Sequence, residues 1–276
     1  MLRLSILAVS LFATAAAFAA DAVLPIAVEP AASHISGYGE IYLGGLQVSE
    51  FGDDTDIHAG GGAGRVNIPF AEKWNVQLDG TYDRIWEDGD FIDGLGGAVH
   101  AYYRDPQRFA VGLFATYKHY GTGFPDTNDD TVGPEAQVYF GNLTLYGQAY
   151  YGKIDLDFDN PTEWGVRGVA RYFVQPNLRL DGEVAFNRVG FDFADFDAVS
   201  LAAQTMYRFE GTPWSLFGRY QYERISAESE TFNTTNKYTI GLRASFGSRT
   251  LFDEDRNGAT MDTYRSNFIL PFGGAS

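Results

Sequence analysis

The sequence contains no cysteine, so neither a disulfide framework nor a thiolate metal site is open to it. Positive charge is scarce. Lys and Arg total 20 against 36 Asp and Glu, for a net charge of −16, a balance that nucleic-acid phosphates would repel. Beyond the first twenty residues no apolar run approaches the ~18 residues of a transmembrane helix. Mean hydropathy is only −0.19. Against these shortages stand 22 Phe, 17 Tyr and 32 Gly, with aromatics at 16%. A polar chain this aromatic needs an apolar surface somewhere.

The opening "MLRLSILAVSLFATAAAFAA" has a basic start at Arg3, an apolar core from Leu4 to Phe18 and small residues near Ala19 and Ala20. This is the pattern of a secretory signal peptide, too short for an anchor and with no stop-transfer pattern after it. Residues 21–34 carry Pro25 and Pro30 and read as an extended periplasmic lead. Residues 35–247 read as one β-domain, and 248–276 as a mostly polar periplasmic tail.

Within 35–247, period-2 patterning marks about twelve strand-like segments. They start near Ser36, Asp56, Lys73, Ile92, Gln107, Thr131, Leu143, Thr162, Asn177, Asp197, Pro213 and Asn236. Their connections alternate in kind. One set is short and turn-like: "FAEK", "RDPQR", "FGNL", "VQPN", "EGTP". The other is mostly longer and acidic, as in "SEFGDDTD", "YGTGFPDTNDD" and "DLDFDNPTE". Asp53, Asp54, Asp88, Asp90, Asp129, Asp130, Asp155 and Asp157 are expected to face outward there. An antiparallel meander whose two ends face different surroundings alternates in this way.

Bulky residues recur eight apart on one face of each segment: Trp74 and Tyr82, Leu95 and Tyr103, Phe109 and Tyr117, Leu143 and Tyr151. Trp164 and Tyr172, Leu178 and Phe186, Leu201 and Phe209, Trp214 and Tyr222, and Tyr238 and Phe246 follow. Eight residues at ~3.3 Å each, tilted ~40°, rise roughly 20 Å. A transmembrane barrel's apolar band is about 25 Å tall and edged by aromatic girdles. Between the paired residues the same face carries Val, Leu, Ala and Gly, and the opposite face is polar. In "WNVQLDGTY" Trp74, Val76, Leu78, Gly80 and Tyr82 alternate with Asn75, Gln77, Asp79 and Thr81. A soluble sandwich or lipocalin-like barrel would have to enclose all these aromatics, and its interior could hardly hold them. The pattern predicts an all-β, antiparallel up-and-down transmembrane barrel.

"YTIGLRASFG", residues 238–247, resembles the closing strand of Gram-negative outer-membrane β-barrels, including their C-terminal assembly signal. Thr239, Gly241, Ala244 and Phe246 match the family pattern in order. The resemblance covers roughly residues 35–247 and extends to small porin-like proteins of alphaproteobacteria. It implies an outer-membrane location, contact with the assembly machinery and with lipopolysaccharide, and passage of small hydrophilic solutes.

Parity turns Glu40, Arg65, Asp79, His100, Glu135, Arg167, Arg171, Arg179, Asp181, Glu183, Arg208, Arg219, Glu223 and Arg243 into the lumen. The arginines gather on the later segments, so one wall would be basic. Two readings stand. Opposed walls of unlike charge line a constriction, or the same residues pair with one another and fill the barrel. In the tail, Asp253, Asp255 and Asn257 followed by Gly258 match the first half of a calcium loop. Position twelve is Tyr264 rather than Glu, so an ordinary acidic turn competes with that reading. Enzyme constellations are thin. His58 and His119 lie near the outer rim on different segments, with no Ser of matching parity beside either. The expectation is a passive channel without catalysis, or else a closed barrel acting through structure or surface contacts.

Overall fold

The computed structural model describes residues 34–50, 53–87, 89–121, 127–156, 160–227 and 230–263. The predicted signal peptide, nearly all of the lead, Asp88, Asp157 and Tyr264 lie outside them. Twelve antiparallel strands form one closed barrel in sequence order. They are β1 Ser36–Glu50, β2 Asp53–Pro69, β3 Trp74–Glu87, β4 Asp90–Asp105, β5 Phe109–Gly121 and β6 Thr127–Phe140. β7 Leu143–Asp155, β8 Thr162–Gln175, β9 Leu178–Gly190, β10 Asp195–Arg208, β11 Trp214–Ala227 and β12 Glu230–Phe246 complete the ring. β12 closes it by pairing with β1 from Gly37 opposite Phe246 to Glu50 opposite Asn233. The stretch "YTIGLRASFG" is therefore ladder-bonded on both sides, to β1 and to β11.

Alternation decides which side chains meet lipid. Leu78, Leu113, Val132, Val184 and Ile240 are exposed on the outer face, whereas Gln77, His100, Gln137 and Ser200 are fully buried inside. At the end carrying the short turns, Trp74 stands opposite Tyr103 and packs edge-on against it at 5.6 Å. Phe109 packs beside Tyr103, and Tyr172, Trp214 and Phe246 join that belt. At the other end Tyr151 stands opposite Trp164, Tyr220 stacks on Tyr238 at 4.9 Å, and Tyr82, Tyr117 and Tyr222 lie at similar height. The hydroxyls of Tyr82, Tyr117 and Tyr220 donate to Asp93, Asn128 and Asn236. Each ring thus sits on apolar surface while its polar tip reaches the polar zone beyond.

The acidic connections are mostly strand rather than loop. Strands of 13 to 17 residues rise roughly 35 Å at ~40° tilt, taller than the ~25 Å apolar band. Above that band both faces of a strand meet polar surroundings. Cross-strand ion pairs therefore replace apolar contacts. Arg84 sits opposite Asp93 with a 2.6 Å bond, and Arg188 opposite Asp197 likewise. Asp129, expected outside, is instead buried on the inner face, 2.9 Å from Lys118.

The larger departure concerns the tail. Gly247 adopts a φ of 73°, in the left-handed region that a side chain resists. A Cβ there would collide with the carbonyl of Ile35 and with Ser36. The chain turns at this point from the wall into the barrel. Thr250 caps a short helix, α1 Leu251–Asn257, by accepting a bond from the Asp253 amide. α1 and the residues after it, as far as Met261, are almost all buried. Leu251 and Phe252 pack among the inward side chains Tyr42, Phe173, Met206 and Phe217, and Met261 packs with Tyr102, Tyr146 and Val169. The segment read as a periplasmic tail fills the turn end of the lumen as far as residue 263.

Leu113 lies midway between Phe109 and Tyr117 on the lipid face. Leu113→Arg should lower barrel stability by ~2–4 kcal/mol in a bilayer unfolding titration. A change near zero would mean that this face does not meet hydrocarbon.

Candidate functional site

The candidate site is the lumen. Every sequence-predicted lumen residue faces inward, but the charges are interleaved rather than sorted onto opposite walls. Strand register is the reason. Glu40 lies directly across from Arg243, and Arg65 from Asp79. Opposite charges in facing positions of neighbouring strands find each other before they can reach across the barrel. Arg243 bonds Glu40 at 2.6 Å and lies 3.6 Å over the Tyr38 ring. Arg65 bonds Asp79 at 2.9 Å. Arg167 grips Glu183 with two bonds of 3.0 Å, and Arg219 reaches the same carboxylate at 3.1 Å. Arg179 holds Asp181 at 2.9 Å. His100 bonds Glu135 through Nδ1 at 2.9 Å and is stacked on Phe114. Glu223 is fully buried on β11.

Inward glycines make room for this layer. Tyr42, Tyr150 and Phe217 lie against Gly61, Gly165 and Gly241, where a Cβ would clash with each ring. The rings therefore lie close to the wall.

The C-terminal segment supplies the carboxylates that the wall lacks. Asp255 accepts from Arg171 at 2.9 Å and from the Thr144 hydroxyl at 2.6 Å. Glu254 accepts from Arg243 at 3.1 Å and has Arg208 at 4.0 Å. Asp262 accepts from Arg65 at 2.9 Å and from Arg171, with Arg167 at 3.7 Å. Its backbone is fixed too. Arg104 donates to the carbonyls of Asn257 and Gly258 at 2.6 Å, and Gln77 exchanges bonds with the Met261 peptide. Arg256 lies over the Tyr139 ring at 4.2 Å and donates to the Gly141 carbonyl.

Sequence reasoning did not single out Glu254, Asp262, Arg104 or Tyr146 for this role. Two signals were present. Thr250 followed by Asp253 is a helix start, and Leu251, Phe252 and Met261 are apolar residues in a polar tail. The described part of the half-match to a calcium loop is helical. Asp253, Asp255 and Asn257 lie on α1. Asp255 is held by Arg171 and Thr144, while Asp253 receives the Arg249 amide and Asn257 Nδ2. Among the described residues no three His, Asp or Glu side chains are grouped to hold a metal ion. His58 stacks on Trp86 and His119 bonds Asn128 at 2.9 Å, both near the loop end.

Beside the segment remains a cavity of about 110 Å³. Arg65, Arg167, Arg179, Arg219, Lys237 and Arg243 line it together with Glu40, Asp83, Asp181, Glu183 and Asp262. A lipid-facing apolar band, two aromatic belts and a charged lumen define a transmembrane β-barrel of the outer-membrane type.

Solved structures bear out that class. The chain is similar to an outer-membrane channel of Pseudomonas putida F1, at 11% identity and a TM-score of 0.57, over 81% of this chain and 100% of that one. It is also similar to the translocator domain of the autotransporter NalP from Neisseria meningitidis, at 12% identity and a TM-score of 0.52, over 78% and 89%. At such identities the likeness is one of fold. No protein-family model and no curated protein matches the sequence.

Burial disfavours charge on Asp255 and Asp262, but the adjacent guanidinium groups outweigh it. Arg171 and Arg256 hold the Asp255 carboxyl below the usual range. Arg171, Arg65 and Arg167 hold that of Asp262 well below it. A carboxyl depressed in the docked state contributes to docking above its free pKa of ~3.9, and the contribution is lost only as pH falls through the docked value. Hydrogen exchange of residues 250–263, corrected for intrinsic rates, should therefore show equal protection at about pH 8 and about pH 5. Loss of protection within that window would assign the docking to some other group.

Proposed function

We propose that the protein is an outer-membrane channel for small hydrophilic solutes or ions whose lumen is occupied by its own C-terminal segment. One observation carries the reading. Beside the C-terminal segment the lumen holds a cavity lined mainly by charged side chains, and the segment filling its turn end is not part of the wall. A barrel meant only as a scaffold could be filled by wall residues alone, as small barrels are. Here the filling comes from residues beyond the last strand, which take no part in the ladder, so it can leave while the barrel ladder stays intact. Lipopolysaccharide would meet the acidic strand extensions through divalent cations, and the β12 pattern would serve assembly. No catalytic role is proposed.

A closed structural barrel is the second reading. The buried contacts of Leu251, Phe252 and Met261 favour it, because withdrawing them exposes apolar surface. Planar-bilayer conductance of the full chain separates the two. The native protein should show brief openings. Leu251→Ser with Phe252→Ser, which strips the apolar anchor of α1, should lengthen them at least about tenfold, since each buried side chain is worth ~1.5–3 kcal/mol. Silence from both proteins would establish the closed barrel.

A further inference from the structure

We propose that Arg65, Arg167 and Arg171 form a lumenal binding site for a small organic carboxylate, and that Asp262 occupies this site as an internal competitor. The inference rests on the channel reading for the route by which a solute arrives, but its chemistry stands on the site.

The three guanidinium groups come from β2 and β8 and converge on one carboxylate. Two of them keep partners on the wall without the tail. Arg65 has Asp79, and Arg167 has Glu183. Arg171 does not. Its ion pairs are with Asp255 and Asp262, and its remaining bonds go to Thr260, all on the C-terminal segment. Asp181, opposite it in register, is held through Oδ2 by Arg179 and Gln204 and makes no ion pair with Arg171, although its own Oδ1 has no hydrogen-bond partner. Arg171 is 2% exposed, and its Nε has no hydrogen-bond partner even with the tail in place. A buried guanidinium tolerates the loss of a carboxylate poorly unless another replaces it. The planar fork of Arg matches a two-oxygen acceptor, so an organic carboxylate is the chemical class that restores what Asp262 supplies.

Asp262 is also the replaceable part of the segment. Its side chain is 27% exposed, whereas that of Asp255 is at 0%. It follows Met261, the last deeply buried apolar contact among the described residues. It faces the cavity that Arg179 and Arg219 also line. A compact anion entering that cavity meets the arginines after Asp262 alone swings aside, with α1 still seated. Exchange of one carboxylate for another keeps the buried charge balanced throughout.

Calorimetry on the detergent-solubilised full chain, with malonate as the probe, tests this directly. Asp262→Asn should bind malonate at least about tenfold more tightly than the native chain, the equilibrium worth of one charge-assisted bond no longer competed away. Asp262→Glu, which keeps the competing carboxylate, should stay near the native affinity. Adding Arg171→Gln to Asp262→Asn should abolish binding. Equal affinity in the native chain and Asp262→Asn would overturn the proposal, as would binding that survives Arg171→Gln. Inorganic phosphate binding as tightly as malonate would overturn the carboxylate assignment. If Asp262→Asn fails to fold, the native chain gives the answer. Malonate should then speed hydrogen exchange at 262–263 and leave 251–257 unchanged, and no change at 262–263 would overturn the site. Malonate binding without any bilayer conductance would retire the channel reading and leave the site standing. Conductance without the Asp262→Asn effect would do the reverse.

Discussion

Hydrocarbon offers no hydrogen bonds, and the rest of this structure follows from that constraint. Each backbone N–H and C=O in the membrane must find a partner within the protein, so the sheet has to close on itself. β12 pairing with β1 accomplishes this. Closure in turn fixes alternation along each strand, which sends most of the charged residues of the wall inward. The charges of a polar chain are thereby gathered inside, where they must be balanced against one another at short range.

That balance accounts for the lumen. Facing positions on neighbouring strands bring Glu40 to Arg243, and Arg65 to Asp79. Pairing of this kind settles most of the wall, while Arg171 takes its ion pairs from the C-terminal segment and Asp181 is held by Arg179. The C-terminal segment completes the account with Glu254, Asp255 and Asp262. Its insertion depends on the left-handed turn at Gly247 and on the apolar seat of Leu251 and Phe252. Buried ion pairs add little net stability, but they are unforgiving of a missing partner. They therefore select where the segment docks more than how strongly it holds.

Filling of this kind joins closure to function. The inner surface that lets the barrel fold is the same surface a solute would meet. The part of the filling that lines the cavity is the Asp262 carboxylate with Thr263 rather than a packed apolar core. Asp262 follows an otherwise buried run, so the proposed carboxylate site would be reached by moving one side chain.

The sequence by itself determined the barrel. Even spacing of Trp74 and Tyr82, Phe109 and Tyr117, and the other pairs sets the height of the apolar band, because strand geometry converts a count of residues directly into a length. Parity likewise sent Arg65, His100, Arg171 and Arg243 inward, since alternation is a local property. Tertiary structure alone decided who pairs with whom. Register and closure bring together residues as distant as Glu40 and Arg243, or Arg65 and Asp262, and no local pattern carries that information. The path of the tail was decided in the same way. Thr250, Leu251 and Phe252 announce a capped, partly apolar helix, but whether it hangs below the barrel or enters it depends on the turn at Gly247 and on the charge left unbalanced inside. Both exist only once the barrel has closed.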